Sequence, residues 1–103
     1  MRSHKAALAL VRAHVNEWDP VGLVGAGCPN DEYDCISMHI ISLLSRRVSD
    51  ADFLDWARSE IPGHFGTALV RDSRQTRRFL RKLRAEWDVA GIQLAPKRRA
   101  RRA

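Results

Sequence analysis

Trp18-Asp19-Pro20-Val21-Gly22-Leu23, continuing through Val24-Gly25-Ala26-Gly27-Cys28-Pro29-Asn30 to Asp31-Glu32-Tyr33-Asp34-Cys35, decides how the rest of the chain is read. Pro20 has no N–H and disfavours helical geometry in the residue before it, so a helix arriving at Trp18 cannot run past Asp19. Gly22, Gly25 and Gly27 then allow turns that other residues resist. The result is an ordered loop of roughly a dozen residues, longer than most connections in a compact domain and of the kind that often carries function. Asp19 is expected to accept backbone N–H groups from its own turn, and Val21 and Leu23 to point inward. Beyond the loop, Pro29-Asn30-Asp31-Glu32 reads as a helix start, with Asn30 or Asp31 as cap and the acids favoured by the helix dipole.

Working outward, four helical segments emerge. The first runs from about Ser3, a good N-cap, to Glu17, with Leu8, Val11, Val15 and Trp18 as its apolar stripe. The second runs from the loop to about Arg47, with Tyr33, Ile36, Ile40, Leu43 and Leu44 inward and Ser37, Ser42 and Ser45 outward. Ser49-Asp50-Ala51-Asp52 opens a third in capping-box style, whose apolar face is Phe53, Leu54, Trp56, Ala57 and Ile61. Pro62-Gly63 is expected to end or kink it, with Gly66 at a turn. Asp72-Ser73 opens the fourth, with Thr76, Phe79, Leu80, Leu83 and Trp87 at helical spacing and an end before Gly91. The expected fold is all-α: a four-helix-bundle-like single domain over residues 1–95, followed by a flexible basic tail over 96–103. A chain of this length buries roughly 60–65% of its unfolded surface, enough for one core without staples.

Charge is distributed unevenly. Residues 1–16 carry three bases and no acid; residues 17–60 carry nine acids against Arg46, Arg47 and Arg58; residues 71–103 carry twelve bases against three acids. The net charge of +6 and the pI near 10.3 therefore come from the C-terminal third. Two surfaces of opposite sign are expected. No apolar run approaches the roughly 20 residues that span a bilayer. The N-terminal apolar run is cut short by Arg12 and His14 and lacks a cleavage site, so a cytoplasmic protein that does not bind membranes is expected. Two cysteines, Cys28 and Cys35, fit a reducing compartment, and Cys35 is expected to be a buried, inert thiol.

Chemistry offers little for catalysis. Cys35 and His39 share a helical face, but no tight ligand pairs of the kind structural zinc needs are present, and no metal or cofactor is expected. Glu17, Asp19, Asp31, Glu32 and Asp34 could converge as acid–base carboxylates, yet no nucleophile, phosphate loop or cofactor motif accompanies them, so no enzyme is expected. The leading expectation is a protein-binding module that uses the acidic loop 17–34, with Asp19, Asp31, Glu32, Tyr33 and Asp34 as contact residues: Asp19 braces the loop, Tyr33 anchors it, and Glu32 and Asp34 face a basic partner. The alternative is a nucleic-acid-associated protein that uses the basic helix 73–88 and the tail, through Arg74, Arg77, Arg78, Arg81, Arg98 and Arg99.

The run Glu17-Trp18-Asp19-Pro20-Val21-Gly22-Leu23, then Pro29, then Asp31-Glu32-Tyr33-Asp34-Cys35, resembles a family of small bacterial domains of unknown function. Members carry W-D-P-[IV]-G, a short variable loop, and D-E-Y-D ahead of a helix with I-x-x-L-L, here Ile40 to Leu44. Trp56-Ala57-Arg58 and Glu60 through His64-Phe65-Gly66 resemble that family's third helix and terminal F-G. The likeness covers residues 6–66 and leaves the fourth helix and tail uncovered; Pro62-Gly63 departs from a more continuous helix. It implies a small all-α cytosolic protein without catalysis and, from relatives near toxin genes, immunity-type binding. Trp18, Asp19, Pro20, Gly22, Asp31, Glu32, Tyr33 and Asp34 carry over as structural or partner-facing positions.

Overall fold

A computed structural model describes residues 4–92. Its elements are α1 (His4–Trp18), α2 (Asp34–Ser45), α3 (Asp50–Phe65) and α4 (Ser73–Ala90), and no strand occurs among the described residues. The fold is all-α and single-domain, as expected. The Ser3 cap, Leu94 and the tail 96–103 with Arg98 and Arg99 lie outside the described residues.

α1 buries Ala7, Val11, Val15 and Trp18, one stripe at three- and four-residue intervals. It packs against α2 and α4, and α3 packs against α4. The core between them holds Val11, Val15, Tyr33, Ile40, Phe53, Ala57, Ile61 and Leu83, all fully buried. At its edge Trp18 lies flat on Phe79, ring centroids 4.1 Å apart and planes 13° apart. Such a stacked aromatic pair adds to the area both rings remove from water.

Caps close α3 and α4 as the sequence leads one to expect. Ser49 accepts the Asp52 N–H at 3.1 Å. Asp72 accepts the Gln75 N–H at 2.8 Å while the Gln75 side chain accepts the Asp72 N–H at 2.9 Å, a reciprocal capping box. Gly66 and Gly91 take left-handed geometry at the two C-terminal ends.

Three expectations are corrected. α2 begins at Asp34 rather than near Asn30: residues 30–33 make turns instead, with the Glu32 N–H on the Pro29 carbonyl and the Asp34 N–H on the Asp31 carbonyl. Tyr33 occupies the N-cap and is fully buried, so its anchorage in the core sets the register, not a side-chain cap. α3 continues through Pro62 to Phe65. The proline forfeits one helical bond, but fully buried Ile61 and the Phe65 ring edge-on to Tyr33 at 5.5 Å hold the last turn in place. Finally, Ser37 is fully buried while Cys35 is exposed, so the expected burial of these two is reversed. α2 is apolar nearly all round, and pattern alone does not choose its inner face.

Candidate functional site

The loop between α1 and α2 is built on one carboxylate. Asp19 ends α1 in left-handed geometry, φ 51°, its N–H bonded to the Val15 carbonyl at 2.7 Å. That geometry turns the side chain back under the loop. Asp19 Oδ1 accepts the Val24 N–H at 3.0 Å and the Tyr33 hydroxyl at 2.6 Å, and Oδ2 accepts the Gly25 N–H at 3.0 Å. The Tyr33 oxygen in turn accepts the N–H groups of Val21 at 3.1 Å and Leu23 at 3.2 Å. Two side chains thus satisfy four loop N–H groups and each other.

Electrostatics follow from this geometry. Burial alone pushes Asp19 up, but the Tyr33 hydroxyl, the Gly25 and Val24 N–H groups and the nearby Arg71 charge outweigh it, holding the carboxyl below its ordinary range. Tyr33 is raised, first by burial and then by the bond it donates to Asp19. The brace is also fastened by the connection between α3 and α4. The Val70 N–H donates to the Pro20 carbonyl at 2.8 Å, and Arg71 Nε donates to the Trp18 carbonyl at 2.6 Å.

The structure divides the five expected contact residues. Asp19, 7% exposed, and Tyr33, fully buried, sit beneath the surface in the bracing and anchoring positions expected of them. Asp34 is half-buried and gripped by Arg12, with Nε on Oδ1 at 2.9 Å and a terminal nitrogen on Oδ2 at 2.5 Å. That fork raises Arg12 above its ordinary value through the Asp34 bond and charge. Asp31 and Glu32 are exposed at the loop's end and make no side-chain hydrogen bond among the described residues. Around them Val24, Ala26, Pro29 and Asn30 are exposed as well.

On α4, Arg74, Arg77, Arg78 and Arg81 are all exposed and make no ion pair among the described residues. Their spacing sets them along one face, opposite the buried stripe of Thr76, Phe79, Leu80, Leu83 and Trp87. Arg84, by contrast, is taken up by Asp50 and the Val48 carbonyl. Arg98 and Arg99, expected to extend this face, lie outside the described residues.

Several functional positions escaped the sequence reading. Arg12 and Arg71 act through partners 22 and 53 residues away, which no local pattern reveals. A groove of 240 Å³ between the end of α1 and α4, with Trp18, Phe79, Arg71, Arg78 and Lys82 in its lining, was likewise hidden. Among the described residues no group of three or more His, Cys, Asp or Glu side chains could hold a metal ion, and no helix is long and apolar enough to cross a membrane. Comparison with known proteins finds no family model, no curated protein and no solved structure that matches this chain.

Proposed function

We propose that this chain is a non-enzymatic protein-binding module of the cytoplasm, an immunity-type antagonist whose contact surface is the loop 17–34. The observation that carries this reading is the Asp19–Tyr33 brace. Withdrawing a carboxylate from water is expensive unless donors replace the solvent, and here those donors belong to the loop itself. A sequence that commits a buried charge to holding one loop shape gains a preorganised surface, which loses little entropy on docking. The surface so held combines small apolar groups, Val24 and Ala26, with Asp31 and Glu32 at its edge. That composition suits a basic protein partner, with the carboxylates steering association.

Paired pull-downs from the native host, with the wild-type chain and with the Asp31→Lys/Glu32→Lys variant, test this. The expected result is a specific partner retained by the wild type and lost by the variant. Undiminished capture by the variant removes the acidic edge as the contact.

A second reading, nucleic-acid association, is favoured by one observation: Arg74, Arg77, Arg78 and Arg81 of α4 are exposed and make no ion pair among the described residues, whereas Lys82 and Arg84 on the same helix are answered by Glu17 and Asp50. Binding to duplex DNA or RNA across a salt titration tests it, with binding that survives loss of Arg74, Arg77, Arg78 and Arg81 as the adverse result.

A further inference from the structure

We infer that the groove between α1 and α4 is a seat for a backbone phosphate of a nucleic-acid strand. The inference rests on the second reading above and assigns it a site. The groove measures 240 Å³, below the usual range for drug-sized ligands but ample for one phosphate and its ester oxygens. Three cations stand in its lining, Arg71, Arg78 and Lys82, against the single acid Glu17. Glu17 engages Lys82 at 3.2 Å through both carboxylate oxygens, but both side chains are more than half exposed, so this pair yields readily to a stronger anion. Arg78 has no partner among the described residues, and Arg71 is fixed by the bond from its Nε to the Trp18 carbonyl.

Trp18 adds an independent observation. It lines the groove, is clamped flat against Phe79, and carries a buried indole N–H with no acceptor among the described residues. The N–H is closed to solvent, so its resonance serves as a reporter of what occupies the groove beside the ring, not as a ligand of the phosphate. Stacking by a base is not part of the site, because Trp18 and Phe79 are 6% and 7% exposed. Recognition is therefore of the backbone and indifferent to sequence. A strand rather than a lone phosphate is favoured because the groove opens onto the α4 arginines. From Arg74 to Lys82 the cations extend along roughly 12 Å of helix axis, long enough to meet more than one phosphate in succession.

The experiment uses the full chain labelled with ¹⁵N, a fluorescent twelve-nucleotide single strand, inorganic phosphate and polyglutamate. The strand is expected to shift the Trp18 indole N–H resonance and leave that of Trp56 in place, with phosphate producing a weaker shift of the same peak. Arg78→Ala/Lys82→Ala is expected to bind roughly 20-fold more weakly at 0.1 M salt, with a salt slope shallower by about 1.4. Glu17→Gln, which removes the groove's acid and frees Lys82, is expected to bind more tightly. If Arg74→Ala/Arg77→Ala weakens binding while the groove variant does not and the Trp18 peak stays still, the groove assignment is overturned and the second reading survives. If no strand binds at all, both fall. Equal competition by polyglutamate overturns the phosphate assignment in favour of an acidic protein.

Discussion

Tyr33→Phe isolates the brace from the core. The phenyl ring fills the same fully buried site and keeps its edge-on contact with Phe65, so no cavity opens. What goes is one oxygen and three hydrogen bonds: the donation to Asp19 at 2.6 Å and the acceptances from Val21 and Leu23. A bond to a charged acceptor contributes about 1.5–3 kcal/mol, and a buried N–H left without a partner costs about 1–3 kcal/mol. The Leu23 N–H is only partly buried and can recruit water, so the sum stays near 3 kcal/mol. For a domain of this size that is a fall in Tm of roughly 12 °C or more. Chemical denaturation measures the loss, and amide exchange at Val21, Leu23, Val24 and Gly25 locates it. pH supplies an independent check. Asp19 is depressed in the folded state, so its contribution is present above the unfolded carboxylate pKa of about 3.9 and disappears as pH falls below it. The gap between wild type and Tyr33→Phe should therefore narrow below about pH 4. A loss under about 1 kcal/mol, with those four amides as protected as before, would refute the claim that this hydroxyl shapes the loop.

Other perturbations test neighbouring parts of the argument. Tyr33 is raised in the folded state, so its stabilisation holds below the unfolded value of about 10 and is lost as pH climbs through the folded one; the wild type should weaken above pH 10 more steeply than Tyr33→Phe in alkaline denaturation. Asp72→Ala removes one half of the capping box on α4 and should lower stability by about 1 kcal/mol by urea titration. Gly66→Ala puts a Cβ into left-handed geometry at φ 71° and should also cost about 1 kcal/mol, although nothing crowds the site. A double-mutant cycle on Arg12 and Asp34 should give a small favourable coupling that shrinks as salt rises, since both side chains are about a third exposed; coupling unaffected by 1 M salt would contradict that picture.

Helices were legible wherever one physical signal dominated. α1 and α4 announce themselves by apolar spacing, and Ser49, Asp72, Gly66 and Gly91 by capping chemistry, all of it local. The start of α2 was not, because Pro29-Asn30-Asp31 fits a turn as well as a cap, and the deciding contact joins residues 14 apart. Pro62 reads as a stop until one knows that Ile61 and Phe65 on either side of it are packed. The expectation that Asp19 receives N–H groups from its own turn held, since Val24 and Gly25 lie five and six residues on. Its removal from the surface depends on Tyr33 and Arg71, which composition and spacing do not bring together. For the same reason Asp31 and Glu32 look no different in sequence from Asp34, yet among the three only Asp34 is hydrogen-bonded by an arginine among the described residues.

The fastening of Arg71 to Trp18 and of Val70 to Pro20 bears on the order of assembly. Contacts that close so much intervening chain form late, after nearby turns and helices have settled. A growing polypeptide that has reached only the end of α3 holds every residue of the Asp19–Tyr33 pairing but lacks the strap that secures it. The loop is thus secured last, by a segment about fifty residues further along the chain. Substitutions at Val70 or Arg71 should then slow the closing of the loop more than they alter the shape it finally takes.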